Sequence, residues 1–192
     1  MKKVVRFMNP SHPQELKSLF QKGKIFAYPT EAVFGLGCDP LNEQAVDNLL
    51  KLKQRPMEKG LIVVADTYER ASPFIDEVLI LEHVEDIKAS WPGFITWLVP
   101  KSKNVPDWIT GGSDLIAIRV SAHPVIQSLC GELESALVST SANITGQEAI
   151  KDQKELEDVF GDQVIYIHGE LGGAEKPSLI KNALTGQIVR GN

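Results

Sequence analysis

The stretch KLKQRPMEKGLIVVA, residues 51–65, places the end of a helix directly before a buried strand. Asn42 can cap this helix at its N-terminus, and Pro56 should stop it at or just before Arg55. The apolar run at 61–65 has no polar interruption, which is typical of a strand covered on both faces. A helix followed by such a strand favours an α/β or α+β fold.

Helix and strand signals alternate along the rest of the chain in the same way. Further helices are predicted at 11–22, with a cap at Ser11, over most of 67–90, at 124–133 and after Asp152. Strands are predicted at 24–28, 95–99, 115–120, 136–139, 164–167, 178–180 and 187–190. We therefore predict a twisted mixed β-sheet with helices packed on it, as a single domain over residues 8–192.

Composition and charge narrow the class of protein. Asp and Glu outnumber Lys and Arg by 25 to 20. This negative balance disfavours a protein whose main function is to bind the nucleic-acid backbone. No apolar stretch resembles a secretory signal or a membrane span. The two cysteines and four histidines are scattered, without the spacing of metal ligands. We expect a cytoplasmic protein without a membrane segment or a structural metal.

Four cations, Lys51, Lys53, Arg55 and Lys59, lie close together at the predicted helix end. Cations there offset the negative end of the helix dipole, and charge runs are usually solvated. Alternatively, they form a site for several phosphate oxygens, with arginine supplying a planar fork and lysine a point charge. The junction with the buried strand favours the phosphate site.

Three more polar clusters follow apolar runs. Thr30 and Glu31 come after a strand that ends at Pro29, and two glycines then permit positive φ or close backbone approach. Arg119 lies in a mostly apolar run, so it should point outward or meet an anion, either a substrate carboxylate or an internal acid. The run STSANITG at 139–146 offers many small donors and acceptors, which suit a nucleotide or a self-satisfied turn.

These clusters together resemble the YrdC/TsaC family of threonylcarbamoyl-AMP synthases. The matching segments run in order through most of the chain: PTEAVFGLG at 29–37, KQRP at 53–56 with Lys59-Gly60, IRV at 118–120, STSANITG at 139–146 and PSLI at 177–180, with Arg190 near the end. Neither a P-loop nor a Rossmann glycine motif occurs, so the resemblance points to a different nucleotide site.

The resemblance implies a fold and a reaction. The fold is that shared with dihydroxybutanone-phosphate synthase, and the chain ends where the short form of the family ends. The reaction joins L-threonine, bicarbonate and ATP into threonylcarbamoyl-AMP and pyrophosphate for the t6A modification of tRNA. Mg²⁺ is expected to arrive with ATP. The expected partners are other t6A pathway proteins, with weak tRNA contact.

The resemblance also assigns roles to residues. Lys53 and Arg55 match the catalytic pair that faces the triphosphate. Thr30 matches a threonine contact, and Arg119 matches the arginine that holds the threonine carboxylate. The remaining nucleotide contacts fall on Lys59, Ser139, Ser141, Asn143, Ser178 and Arg190. No residue is assigned as a metal ligand.

Some residues depart from the family pattern. Ala32 and Phe34 stand where many members carry Thr and Tyr, so the roles of those hydroxyls are lost. Ser121 replaces a common proline, and Leu179 and Lys181 depart from the frequent PSTIVD sequence.

Two other functions remain open from the sequence. One is an RNA-binding or ribosome-maturation module without catalysis, which the acidic total and the lack of an aromatic stacking array disfavour. The other is a sugar-phosphate enzyme on the same fold, which would need an acidic metal-binding loop that the sequence does not show.

Overall fold

One mixed ten-stranded sheet organises the computed structural model, which describes residues 6–8 and 13–191. Its strands are β1 (Arg6–Met8), β2 (Phe26–Pro29), β3 (Phe34–Cys38), β4 (Ile62–Ala65), β5 (Ile95–Pro100), β6 (Leu115–Val120), β7 (Leu137–Ser141), β8 (Ile165–Ile167), β9 (Leu179–Asn182) and β10 (Ile188–Arg190). Their order across the sheet is β1-β8-β2-β3-β7-β4-β6-β5-β9-β10. The sheet contains parallel pairs such as β4 with β6 and antiparallel pairs such as β3 with β7, which confirms the predicted mixed sheet.

Helices connect these strands. The α-helices are α1 (Pro13–Gln21), α2 (Glu43–Lys53), α3 (Tyr68–Ala71), α4 (Val84–Ala89), α5 (Asp107–Thr110), α6 (Pro124–Leu133) and α7 (Gln153–Phe160). Asn42 and Asp152 cap α2 and α7 as predicted, because each side chain accepts a bond from a first-turn amide. The predicted cap at Ser11 lies outside the described residues. Among the described helices, none is long and apolar enough to cross a lipid bilayer.

Both faces of the sheet are covered by apolar side chains. Residues along β2 and β4 alternate between two core clusters, since Tyr28 and Val64 belong to one and Ala27 and Val63 to the other. The cluster of Tyr28 and Val64 includes the buried residues of α1 and α6, and the other includes the buried apolar residues of α2. β4 lies in the middle of the sheet, between β7 and β6, which confirms the strand predicted from its continuous apolar run.

The glycines of the 29–37 segment lie in a strand that the sequence did not predict. Gly35 and Gly37 belong to β3, which pairs with β2 and β7. A Cβ atom on Gly37 would lie 2.4 Å from the carbonyl oxygen of Val138 and 2.6 Å from the Tyr28 hydroxyl. Gly37 therefore serves close approach of neighbouring strands, which is one of the two roles considered for these glycines.

The segment at 67–90 is less regular than predicted. It contains the short helices α3 and α4, separated by 3₁₀ turns at Ser72–Phe74 and Glu77–Ile80. Pro73 lies in the first of these turns, because proline cannot continue the hydrogen bonding of a helix interior. Sequence analysis also missed the short elements β1 and α5.

Candidate active site

A cavity of about 530 Å³ opens on one face of the sheet. Neighbouring strands form its floor in register: Ser139 of β7 pairs with Ile62 of β4, and Ile62 pairs with Ala117 of β6. Ile62 and Val64 point to the same side of β4, so the cavity shares the face that α1 and α6 cover elsewhere. Eight of the ten predicted site residues line this cavity: Thr30, Arg55, Lys59, Arg119, Ser139, Ser141, Ser178 and Arg190.

The cavity is positively charged, although the chain as a whole carries a net charge of −5. Arg55, Lys59, Arg119 and Arg190 line it, and the only carboxylate among its described lining residues is that of Glu58. Burial lowers the pKa of the Arg190 guanidinium, and the neighbouring Arg119 lowers it further. Such a concentration of cations is favourable for a ligand with several negative charges.

Arg119 meets an internal acid. Its side chain is buried, with 7 % of the residue exposed, and Nη1 donates to Oε2 of Glu31 at 2.9 Å. The guanidinium also lies over the Phe94 ring, 5.5 Å from the ring centroid. Of the two anions considered from the sequence, the internal one is therefore present. Because Arg119 also lines the cavity and arginine carries five N–H donors, it has donors left for a ligand.

Arg55 is held rigidly at the cavity wall. Its Nε and Nη2 donate to the carbonyl oxygen of Gly60 at 3.2 and 2.8 Å. Burial lowers the pKa of its guanidinium. Lys51, by contrast, is exposed and pairs with Asp47 at 2.6 Å within α2. The solvated-charge interpretation of the cation cluster therefore fits Lys51, whereas Arg55 and Lys59 line the cavity.

Lys53 is buried, and its ammonium contacts the end of β7 and the loop that follows it. Only 2 % of the residue is exposed. Its ammonium donates to the carbonyl oxygens of Ser141 and Asn143, the latter at 2.8 Å, and lies 3.4 Å from Oδ1 of Asn143. Neither Lys53 nor Asn143 lines the cavity. Of the pair that the resemblance assigned to the triphosphate, Arg55 thus lines the cavity, whereas Lys53 contacts the loop after β7.

We expect the loop after β7 to respond to pH through Lys53. Burial, together with the nearby Arg55, lowers the pKa of Lys53 to about 8. Below pH 8 the ammonium has a hydrogen for each of its three oxygen neighbours, whereas the neutral amine has two. In an NMR titration from pH 6 to 9.5, the amides of Ser141, Asn143 and Thr145 should shift together with a midpoint near 8. A Lys53→Met variant should lose this transition, and its persistence there would contradict the assignment.

The hydroxyl groups of the site are tied to neighbouring side chains or carbonyls. Ser139 accepts a hydrogen bond from the Tyr28 hydroxyl at 2.9 Å, which leaves its own proton for a ligand. Ser141 donates to Asn143 at 2.6 Å, so the turn at 139–146 satisfies part of its own hydrogen bonding. Thr30 donates to the Val33 carbonyl at 2.6 Å, and Ser178 shares a hydrogen bond with a buried threonine.

Sequence analysis assigned no role to several residues that shape the site. Tyr28 supports Ser139, Phe94 lies against Arg119, and Thr96 is the buried partner of Ser178. Glu31 also received no role, although its pairing with Arg119 could have been expected from the sequence. A buried arginine requires a counterion, and Glu31 follows a strand end. The partners of Ser139 and Ser178 depend on sheet order, which local sequence patterns do not contain.

Comparison with known proteins identifies the family. A family model for Sua5, YciO and YrdC, described as "Telomere recombination", matches residues 18–191. The chain belongs to the Sua5/YciO/YrdC family. It is 54 % identical to the threonylcarbamoyl-AMP synthase of Pseudoalteromonas atlantica, with 88 % of this chain and 91 % of the relative covered. It is 49 % identical to the threonylcarbamoyl-AMP synthase of Vibrio campbellii, covering 92 % and 96 % of the two chains.

Solved structures of the Sua5/YciO/YrdC family share the fold. P. abyssi Sua5 complexed with L-threonine has a TM-score of 0.84 and 29 % identity, covering 93 % of this chain. The present chain spans 54 % of that Sua5 chain. E. coli YciO, at a TM-score of 0.77 and 24 % identity, supports the fold alone.

The side chains that could bind a metal ion are not grouped together in the described residues. Across residues 6–8 and 13–191, no group of three or more His, Cys, Asp or Glu side chains could hold a metal ion. Glu58 is the carboxylate at the described cavity wall, and Glu31 is bound to Arg119. Within these described residues there is therefore no carboxylate cage of the kind that binds a resident divalent cation.

Proposed function

We propose that this chain is a threonylcarbamoyl-AMP synthase, which forms threonylcarbamoyl-AMP and pyrophosphate from L-threonine, bicarbonate and ATP. The observation that carries the proposal is the cavity, whose wall gathers Arg55, Lys59, Arg119 and Arg190 in an acidic protein. Curated relatives of this name match nearly the full length of the chain. A non-catalytic RNA-binding module would not need to gather its cations around a cavity of about 530 Å³.

The reaction needs positioning and charge neutralisation more than acid–base catalysis. The threonine amine combines with bicarbonate to give an N-carboxylate and water. An oxygen of this carboxylate then forms a bond to the α-phosphorus of ATP, and the bond from that phosphorus to pyrophosphate breaks. Arg55, Lys59 and Arg190 bind the phosphates, and Arg119 binds the threonine carboxylate. Fixed cations of this kind stabilise charge that develops in the transition state.

The polar residues around the cavity complete the nucleotide and threonine sites. Thr30 contacts threonine, and Ser139, Ser141 and Ser178 contact the nucleotide. Lys53 and Asn143 act indirectly, by holding the loop that presents Ser141. Mg²⁺ carried with ATP would neutralise phosphate charge. The described residues form no carboxylate cage, so phosphate oxygens of ATP would supply ligands to this ion.

The proposed product indicates where in the cell the reaction takes place and which proteins use it. We place it in the cytoplasm, where the product supplies the t6A modification of tRNA through other proteins of that pathway. The negative net charge favours transfer to a protein partner over strong direct binding of tRNA. We assign the whole activity to a single domain over residues 8–192.

Isotope tracing tests the proposed chemistry. With ¹³C-bicarbonate, ATP and L-threonine, mass spectrometry should detect an adenylate that contains threonine and is heavier by one ¹³C atom. With unlabelled bicarbonate the same adenylate should lack the mass shift. An adenylate of threonine without the bicarbonate carbon would indicate a simple amino-acid-activating enzyme and would contradict the proposal.

A further inference from the structure

The carboxylate of Glu31 is bound on both of its oxygens. Oε2 accepts from Nη1 of Arg119 at 2.9 Å, and Oε1 accepts from the hydroxyl of Ser121 at 2.6 Å. Ser121 is fully buried and follows the end of β6, two residues after Arg119. Glu31 therefore links a residue of the cavity wall to a buried hydroxyl behind it.

The hydroxyl of Ser121 has a fixed direction. It accepts a hydrogen bond from the backbone amide of His123 at 3.0 Å. A serine hydroxyl has one proton to donate, and here that proton is directed at Glu31. The short hydrogen bond to the carboxylate is charge-assisted, which makes it stronger than one between neutral groups.

The backbone of Glu31 is fixed as well. Its carbonyl accepts from the amide of Ala174 at 2.8 Å, and a Cβ atom on Gly172 would lie 2.9 Å from the Glu31 Cα atom. The segment around 172–174 thus packs directly against Glu31. With its backbone and Oε1 both held, Glu31 presents Oε2 to Arg119 in one orientation.

The orientation of Arg119 depends on two contacts that the structure shows. Glu31 binds Nη1, and the guanidinium lies over the Phe94 ring, 5.5 Å from the ring centroid. A planar guanidinium that is bound at one nitrogen and packed over an aromatic ring can direct its other N–H groups only along a limited set of directions. Binding a carboxylate through two parallel bonds requires that direction to be correct before the ligand arrives.

We propose that Ser121 is a positioning residue for the amino-acid substrate, acting through Glu31 on Arg119. The inference rests on the proposed function, because it assigns Arg119 to the carboxylate of an α-amino acid. Ser121 itself touches no substrate. Its hydroxyl holds Glu31, Glu31 holds one edge of Arg119, and the other edge receives the carboxylate.

A matched pair of variants separates the effect of the Ser121 hydroxyl from the effect of side-chain volume. Ser121→Thr and Ser121→Val add the same volume to a buried position, but only threonine keeps the hydroxyl. Loss of a hydrogen bond to a charged group should raise the threonine KM of Ser121→Val about ten-fold relative to Ser121→Thr, with similar ATP KM values. Glu31→Gln, which keeps the side-chain shape but removes the charge, should also raise the threonine KM.

A double-mutant cycle tests the route through Arg119. In an Arg119→Lys background, the Ser121→Thr and Ser121→Val variants should differ in KM for the substrate L-threonine by less than about two-fold. The reason is that the effects of substitutions at coupled residues are not additive. Equal threonine KM values for the two Ser121 variants in an otherwise unchanged chain would overturn the inference. So would a loss of thermal stability in which the KM values of ATP and threonine rise together.

The outcome for the wild-type protein separates this inference from the proposed function. If wild-type pyrophosphate release does not depend on threonine, the proposed function fails. If it depends on threonine and the Ser121 variants bind threonine equally, only the positioning role fails. Isothermal titration of L-threonine into each variant provides a readout that does not require turnover.

Discussion

Arg55→Ala should lower pyrophosphate release by a factor of about 100 to 1,000, the usual loss when one preorganised donor to developing charge is removed. Arg55 lines the cavity with its guanidinium fixed by the Gly60 carbonyl, so it can bind phosphate without reorganising. The lost bonds to Gly60 should cost about 1 kcal/mol of unfolding free energy, which leaves the protein folded. Steady-state kinetics with saturating threonine and bicarbonate, together with a thermal unfolding curve, measure both effects.

Lys51→Ala is the matched control for Arg55→Ala. Lys51 belongs to the same run of cations but is exposed and paired with Asp47 on the surface of α2. Surface ion pairs contribute about 0–1 kcal/mol, so neither stability nor turnover should change appreciably. Wild-type turnover in Arg55→Ala, or an equal loss in Lys51→Ala, would show that phosphate is not bound by the cavity residue.

Arg119→Lys should raise the threonine KM by about ten- to one-hundred-fold, the range for losing one hydrogen bond to a charged group. Lysine retains the positive charge beside Glu31 but lacks the planar fork that binds a carboxylate through two parallel bonds. The ATP KM should change much less, because Arg55, Lys59 and Arg190 remain. Initial rates over a range of threonine and ATP concentrations separate the two constants.

The alternative role of Arg119 predicts a different outcome. If Arg119 served only to neutralise Glu31, a lysine in its place would still pair with that carboxylate. The threonine KM would then stay at its wild-type value, with any effect confined to thermal stability. An unchanged KM would therefore remove Arg119 from the substrate site.

Local sequence signals predicted the elements whose determinants are local. The Asn42 cap and the proline after Arg55 define α2, and the continuous apolar run defines β4 as an interior strand. β3 could not be predicted in the same way. Gly35 and Gly37 resemble a turn in the sequence, and the reason for them is the close approach of Val138 and Tyr28 from neighbouring strands.

The candidate site also combines features that local sequence predicts with features that depend on the folded chain. The family resemblance assigned ten polar residues to one site, and eight of them line the same cavity. That Arg55 lines the cavity and Lys53 does not could not be predicted, because this depends on how the chain leaves α2. Gln54 adopts the left-handed conformation there, with φ of 50°, and the buried Lys53 meets the loop after β7 instead of the cavity.

The Glu31–Arg119 contact was predictable in part. A buried arginine requires an anion, so the presence of an internal partner or a ligand was predictable from burial alone. The identity of that partner required the sheet, because Glu31 and Arg119 are separated by 88 positions in the sequence. The bond from Ser121 to Glu31 likewise requires two segments that meet only in the folded protein.

Pyrophosphate release, measured with each substrate omitted in turn, tests the central claim most directly. The nucleophile does not exist until threonine and bicarbonate combine, and the cations only position what is already present. Pyrophosphate should therefore form from ATP only when L-threonine and bicarbonate are both supplied. Pyrophosphate release that is independent of threonine, or the absence of release under every combination, would contradict that claim.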